Sequence, residues 1–347
     1  MSANCKLTID LLPEFGWAIQ DTPVYGPGSV FQGFVQVQLT GPISADRLVL
    51  MFRGFESLDP ACISQKLDPV LFGTQHTLWE SKNGSQLTES SYRFPFTIQM
   101  PLVQFPPSMD HELCKCEFRL SAYLDNVSCH RKVQYMPFTE TCLLKSPLYR
   151  EGTHGPDFSA TLKMQALDYV PGDNLVMSLN VRGKSSVHVS TQLSQLATVL
   201  HGYRPTLTKV IASSSTKVSP GSNIPLSLPL PSNLTPSCSY SRHMSLTYKL
   251  KVVVERKGPL GGMWSSEIPF ELPINIGTLG YGIRTSDELQ YYTVFTQNDA
   301  ANSTTRDLPV PRFMRAVEYE EALPRYEPAR LPSYESTSHV PTTIMTV

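Results

Sequence analysis

An all-β fold, two tandem sandwiches followed by a disordered tail, is predicted by three observations. A turn word recurs: Tyr25-Gly26-Pro27-Gly28 returns as Tyr169-Val170-Pro171-Gly172. Each copy feeds a run in which apolar and polar residues alternate, the period of a strand with one buried face. Helical periodicity is weak throughout, and 29 prolines in 347 residues divide the chain into short segments.

The elements follow in order. Pro then Gly suits the two central positions of a type II turn, where Pro pre-sets φ and Gly accepts φ > 0. After the first turn, Phe31, Gly33, Val35, Val37 and Leu39 share one face, and Gln32, Gln36 and Gln38 the other. After the second, Leu175, Met177, Leu179 and Val181 lie opposite Asn174, Ser178, Asn180 and Arg182. Downstream, Phe94-Pro95-Phe96-Thr97-Ile98-Gln99-Met100-Pro101 corresponds to Ile224-Pro225-Leu226-Ser227-Leu228-Pro229. A proline inside each run marks an edge or a strand end. Each half then supplies an alternating strand, with Phe118, Leu120, Ala122 and Leu124 inward in the first and Leu246, Tyr248, Leu250, Val252 and Val254 in the second. Three landmarks in the same order indicate a duplicated domain. The stretch 187–200 fits a helix or a strand, with Val187, Val189, Thr191 and Leu193 alternating. The boundaries this suggests are a first domain over 5–145, a polar connector over 146–157, a second domain over 158–279 and a flexible tail over 280–347.

Composition narrows the function. Hydrophobic residues are 41% and charged residues 17%, enough for packed cores. A net charge of −1 gives no electrostatic case for nucleic-acid binding by the chain as a whole. Seven irregularly spaced cysteines, an N-terminus without a signal-peptide pattern and no apolar run near the roughly 20 residues of a membrane span point to free thiols in the cytoplasm. Cys114-x-Cys116 lacks the second matched pair that a metal site wants, so both read as core thiols. The eight histidines fall in no catalytic frame with a nucleophile and an orienting acid. No metal, cofactor or enzymatic activity is expected.

Two patterns carry binding chemistry. Lys115 and Arg119 alternate on the face opposite Cys114, Cys116 and Phe118, and Arg131 and Lys132 fall on a neighbouring strand. Together they form a candidate basic patch for acidic cargo segments or anionic lipid; an ordinary solvated face interleaved with Glu117 is the bland alternative. The tail repeats a word: Leu323-Pro324-Arg325-Tyr326 and Leu331-Pro332-Ser333-Tyr334, each followed by a glutamate. Such peptides pre-adopt polyproline II, and in that conformation the two tyrosines stand about 25 Å apart, at about 3.1 Å per residue. The tail from Gly280 onward contains no lysine.

The ordered set Val24-Tyr25-Gly26-Pro27-Gly28, Leu48-Val49-Leu50-Met51-Phe52-Arg53-Gly54, Thr77-Leu78-Trp79, Arg93-Phe94-Pro95-Phe96, Tyr169-Val170-Pro171-Gly172-Asp173 and Leu272-Pro273-Ile274 resembles the α-arrestin branch of the arrestin superfamily. The resemblance covers roughly residues 5–280 and the tail. It implies two Ig-like arrestin sandwiches and a non-enzymatic adaptor. By the same resemblance Leu323, Pro324, Tyr326, Leu331, Pro332 and Tyr334 would bind WW domains of a HECT-type ubiquitin ligase. The sandwiches would select a membrane transporter or receptor, promoting its ubiquitylation, endocytosis and sorting from the cytoplasmic face of plasma membrane and endosomes. The alternative is a trafficking scaffold like the retromer arrestin-fold subunit, without a ligase.

Overall fold

The structure is a computed structural model that describes residues 5–12, 17–19, 22–60, 69–81, 86–88, 90–200, 206–221, 223–257, 265–295 and 307–314. Each of two β-sandwiches contains one copy of the turn word. In the first sandwich, β1 (Cys5–Leu11), β2 (Val30–Leu39) and β5 (Ser91–Gln99) form one antiparallel sheet. The facing sheet has the order β7-β6-β3-β4, from β3 (Arg47–Leu58), β4 (Val70–Glu80), β6 (Cys114–Leu124) and β7 (Val127–Tyr135). The short strand Thr22–Tyr25 runs parallel to the end of β7.

The second sandwich repeats the plan. One sheet has the order β8-β9-β10-β13, from β8 (Leu143–Thr153), β9 (Ser159–Ala166), β10 (Asn174–Arg182) and β13 (Asn223–Pro229). The other runs β15-β14-β11-β12, from β11 (Val187–Val199), β12 (Thr206–Val218), β14 (Met244–Lys257) and β15 (Ser265–Ile276). The segment 187–200, open between helix and strand on sequence, is thus a strand at the centre of a sheet.

The turn geometry is that of the predicted word. Gly28 and Gly172 hold φ of 70° and 89°. The Ser29 N–H donates to the Gly26 carbonyl at 3.2 Å and the Asp173 N–H to the Val170 carbonyl at 3.1 Å, each closing a four-residue turn. All the residues expected to face inward on β2, β6, β10 and β14 are buried. Gly33 takes an inward place on β2 because a Cβ there would stand 2.3 Å from the Asp10 carbonyl oxygen and 2.6 Å from the Phe96 ring. Pro225 lies on β13, a terminal strand, and Pro95 lies on β5 beyond the residues that have a second neighbour.

Two segments differ from expectation. The polar stretch 146–157, expected as a connector, contains most of β8, which pairs with β9 as the outer strand of the second sandwich. Its charged residues sit on an exposed edge, where polarity is compatible with a strand. The stretch beyond Gly280, expected as flexible, is folded where it is described. Thr278 and Leu279 donate their N–H groups to the Thr139 carbonyl at 2.9 and 3.0 Å. Gln290–Tyr291 pairs parallel with Val103–Gln104, Tyr292–Phe295 forms a 3-10 turn, and β16 (Arg312–Met314) adds to the free side of β5. At these described residues the chain therefore returns to the first sandwich. Residues up to Arg315 group into one unit holding both sandwiches. Ala197, Val199, Cys238, Met244 and Leu246 of the second sandwich pack into the core of the first.

Candidate functional site

The outer face of the β7-β6-β3 sheet carries a cationic row. Antiparallel register sets Arg53 of β3 beside Arg119 of β6, and Arg119 beside Lys132 of β7. Period-2 alternation sends these side chains away from the core, since Cys116, Phe118 and Leu120 take the inner positions of β6. Lys115 stands four residues before Arg119 on the same face. At the centre is Glu117, its side chain only 13% exposed. Its carboxylate lies 3.3 Å from Lys115 Nζ, 3.5 Å from Lys132 Nζ and 3.6 Å from Arg119 Nη1. Lys115 also approaches Asp110 at 3.7 Å. Four cations therefore face two carboxylates, leaving the row net positive. The Arg119 guanidinium lies 5.1 Å above the Phe55 ring, which holds it against the sheet. A cavity of about 140 Å³ opens among Ser108, Lys115, Glu117, Lys132 and Gln134. Glu117 thus neutralises part of the row from a position close to the sheet.

Sequence reasoning placed four residues in this patch, and the structure brings three of them together. Arg131 pairs with Leu120, so it leaves β7 on the opposite side of the sheet, where its Nη1 donates to the Ile9 carbonyl at 3.4 Å. Adjacent residues of a strand point to opposite faces, which separates Arg131 from Lys132. Arg53 was missed. Its alternation with Met51 and Phe55 was visible, but strand register was needed to set it beside Arg119.

A second polar site lies where the two sandwiches meet. Glu56, 1% exposed, accepts hydrogen bonds from the Ser241 hydroxyl and, at 2.5 Å, from the Tyr292 hydroxyl. The Tyr292 oxygen in turn accepts the Arg242 N–H at 2.8 Å. Burial, then the neighbouring Glu56 charge, pushes the Tyr292 phenol well up. The same causes push the Cys114 thiol up to about 12. Burial also raises Cys116, and it raises Cys238 to about 12. These are neutral core thiols at physiological pH, poor nucleophiles and poor metal ligands. Among the described residues no group of three His, Cys, Asp or Glu side chains is placed to hold a metal ion. At the rim of the seam Glu140 accepts from the Thr285 N–H and hydroxyl, both at 2.8 Å, and from Arg284. The Thr285 N–H first, then Arg284 and the Thr285 hydroxyl, lower its carboxyl to about 2.

The tail words, Leu323, Pro324, Tyr326, Leu331, Pro332 and Tyr334, lie outside the described residues. The last described strand before them is β16. Its Phe313 ring stacks at 5.4 Å on His76 of β4, which fixes where the chain leaves the first sandwich.

Fold and site thus define a two-sandwich β protein with a cationic sheet face. Residues 157–281, the span from just before β9 to just beyond β15, match the family described as Arrestin (or S-antigen), C-terminal domain. The match covers the second sandwich, which is therefore similar to that domain. No significant match to a curated protein is found.

Proposed function

We propose that the chain is a non-enzymatic adaptor that brings a HECT-type ubiquitin ligase to membrane-protein cargo. The observation that carries this is the pair of Leu-Pro-x-Tyr words shortly after β16. Each word offers an apolar Leu-Pro pair and a tyrosine to the aromatic groove of a WW domain. Two modest copies raise apparent affinity through rebinding or simultaneous engagement. The cationic row of Arg53, Arg119 and Lys132 is suited to acidic segments of a transporter or receptor tail, or to anionic lipid beside it. Catalysis belongs to the ligase; the adaptor supplies proximity. The work is then done at the cytoplasmic face of plasma membrane and endosomes.

The test is a pull-down of HECT-type ligases from cells by the full chain and by Tyr326→Ala/Tyr334→Ala. The double variant should lose ligase capture while its thermal unfolding is unchanged. Undiminished capture by the double variant would reject ligase recruitment through these words.

A further inference from the structure

The outer strand of a sheet leaves alternate N–H and C=O groups unpaired, so edges are where β proteins accept another chain. Among the described residues most other edges are closed, blunted or short; β1, also unpaired on its outer side, has only seven residues. β16 covers β5 at Thr97–Gln99. β13 carries Pro225 and Pro229, and β8 carries Pro147 together with a register shift. Asp168–Tyr169 pairs with the end of β15, and two register shifts interrupt the pairing of β4. β12 differs. It is 13 residues long, it pairs with β11 on one side, and among the described residues no strand pairs with its other side.

From Val210 to Thr216 β12 has no charge and no proline. After one irregularity it keeps unbroken register with β11 from Ala212 to Val218. Ser213, Ser214, Ser215 and Thr216 are exposed, and their short side chains leave the backbone within reach. Lys209 and Lys217 bracket this stretch, and neither forms an ion pair among the described residues. Beside Lys209 a cavity of about 310 Å³ opens between the sandwiches, with Gln195, Asn233 and His111 in its wall.

We propose that the outer edge of β12 accepts an extended acidic segment of a partner protein, which adds to the sheet as a further strand. Its carboxylates would pair with Lys209, at the mouth of the cavity, and with Lys217. Self-pairing with a second copy of β12 would gather four lysines, Lys209 and Lys217 of each copy, on two strands that contain no carboxylate, whereas an acidic segment balances them. The irregularity fixes the spacing the segment must have. Lys209 lies opposite Gln195 and Lys217 opposite His188, so a regular strand spans the two lysines in seven steps, and they point to opposite sheet faces. This site lies on a different sheet from the cationic row, although Asp110 lines the cavities at both, and it needs neither the tail nor a ligase.

The experiment measures binding of the full chain to a labelled synthetic peptide, Glu-Thr-Val-Thr-Val-Thr-Val-Glu, whose glutamates are seven apart. The comparators are the Lys-ended peptide, a nine-residue version with glutamates eight apart, and the original peptide N-methylated on alternate backbone amides. The original should bind at least tenfold more tightly than each comparator and should slow amide exchange across 212–218. Lys209→Glu/Lys217→Glu should reverse the preference between Glu- and Lys-ended peptides, whereas Arg119→Glu/Lys132→Glu should leave it intact. Equal binding of the N-methylated peptide, or an acidic preference that survives Lys209→Glu/Lys217→Glu but not Arg119→Glu/Lys132→Glu, would overturn the proposal. So would no binding at all by the wild-type chain, an outcome that needs no variant to fold.

Discussion

Two carboxylates at the seam show how the same group behaves in different surroundings. Glu56 is buried and relies on hydroxyl donors from Ser241 and Tyr292. Tyr292→Phe keeps the ring in place and removes one donor from a buried acid. Such losses cost about 1.5–3 kcal/mol, to be read as a lowered urea midpoint. Glu140 is at the rim, and its carboxyl is lowered to about 2 by the Thr285 N–H first and by Arg284. A depressed folded pKa adds stability above the unfolded value, near 4.5, which is lost as pH falls through about 2. Glu140→Gln should therefore lower the melting temperature at pH 6, and its gap from wild type should close between about pH 4.5 and 2. A gap that persists at pH 2 would mean that the stabilisation is not linked to this ionisation. Sequence alone could not expose either role, because Glu56 and Tyr292 are far apart in the chain and neither lies in a recognisable motif.

At the scale of elements, the turn glycines were legible because their reason is local. Gly28 and Gly172 hold a left-handed φ that an L side chain adopts at a cost of about 1–2 kcal/mol. Gly172→Ala should lower the urea midpoint correspondingly without changing the slope. The inward faces of β2, β6, β10 and β14 were legible for the same reason, since alternation is written in consecutive residues. β8 and β16 were not. β8 carries Lys145, Pro147, Arg150 and Glu151 and reads as polar linker until its partner β9 is known. β16 has three residues, too few to show a period. Its role gives a further prediction. Ending the chain before Arg312 should speed amide exchange at Thr97–Gln99, while ending it after Arg315 should not. Equal exchange in both truncations would show that β16 does not protect that edge.

At the scale of the whole molecule, the duplication was visible from matched landmarks, but the seam between the sandwiches was not. It is made by residues from both halves and from the returning chain: Thr139 with Thr278, Glu140 with Thr285, Glu56 with Ser241 and Tyr292. The cationic row was legible in part. Lys115, Arg119 and Lys132 followed from alternation, Arg131 fell on the other face, and Arg53 needed strand register. If the row reads acidic segments, Arg53→Glu/Arg119→Glu/Lys132→Glu should weaken binding of a poly-glutamate peptide at least tenfold and remove most of its salt dependence, measured between low and physiological ionic strength. The anchoring of β16 also sets a leash. Leu323 is the ninth residue after Met314 but the twenty-eighth after Phe295. Fully extended at about 3.5 Å per residue, the chain spans roughly 30 Å from Met314 and roughly 100 Å from Phe295. For a ligase docked on the tail words as proposed, three residues of added strand would cut the radius within which it can roam to about a third.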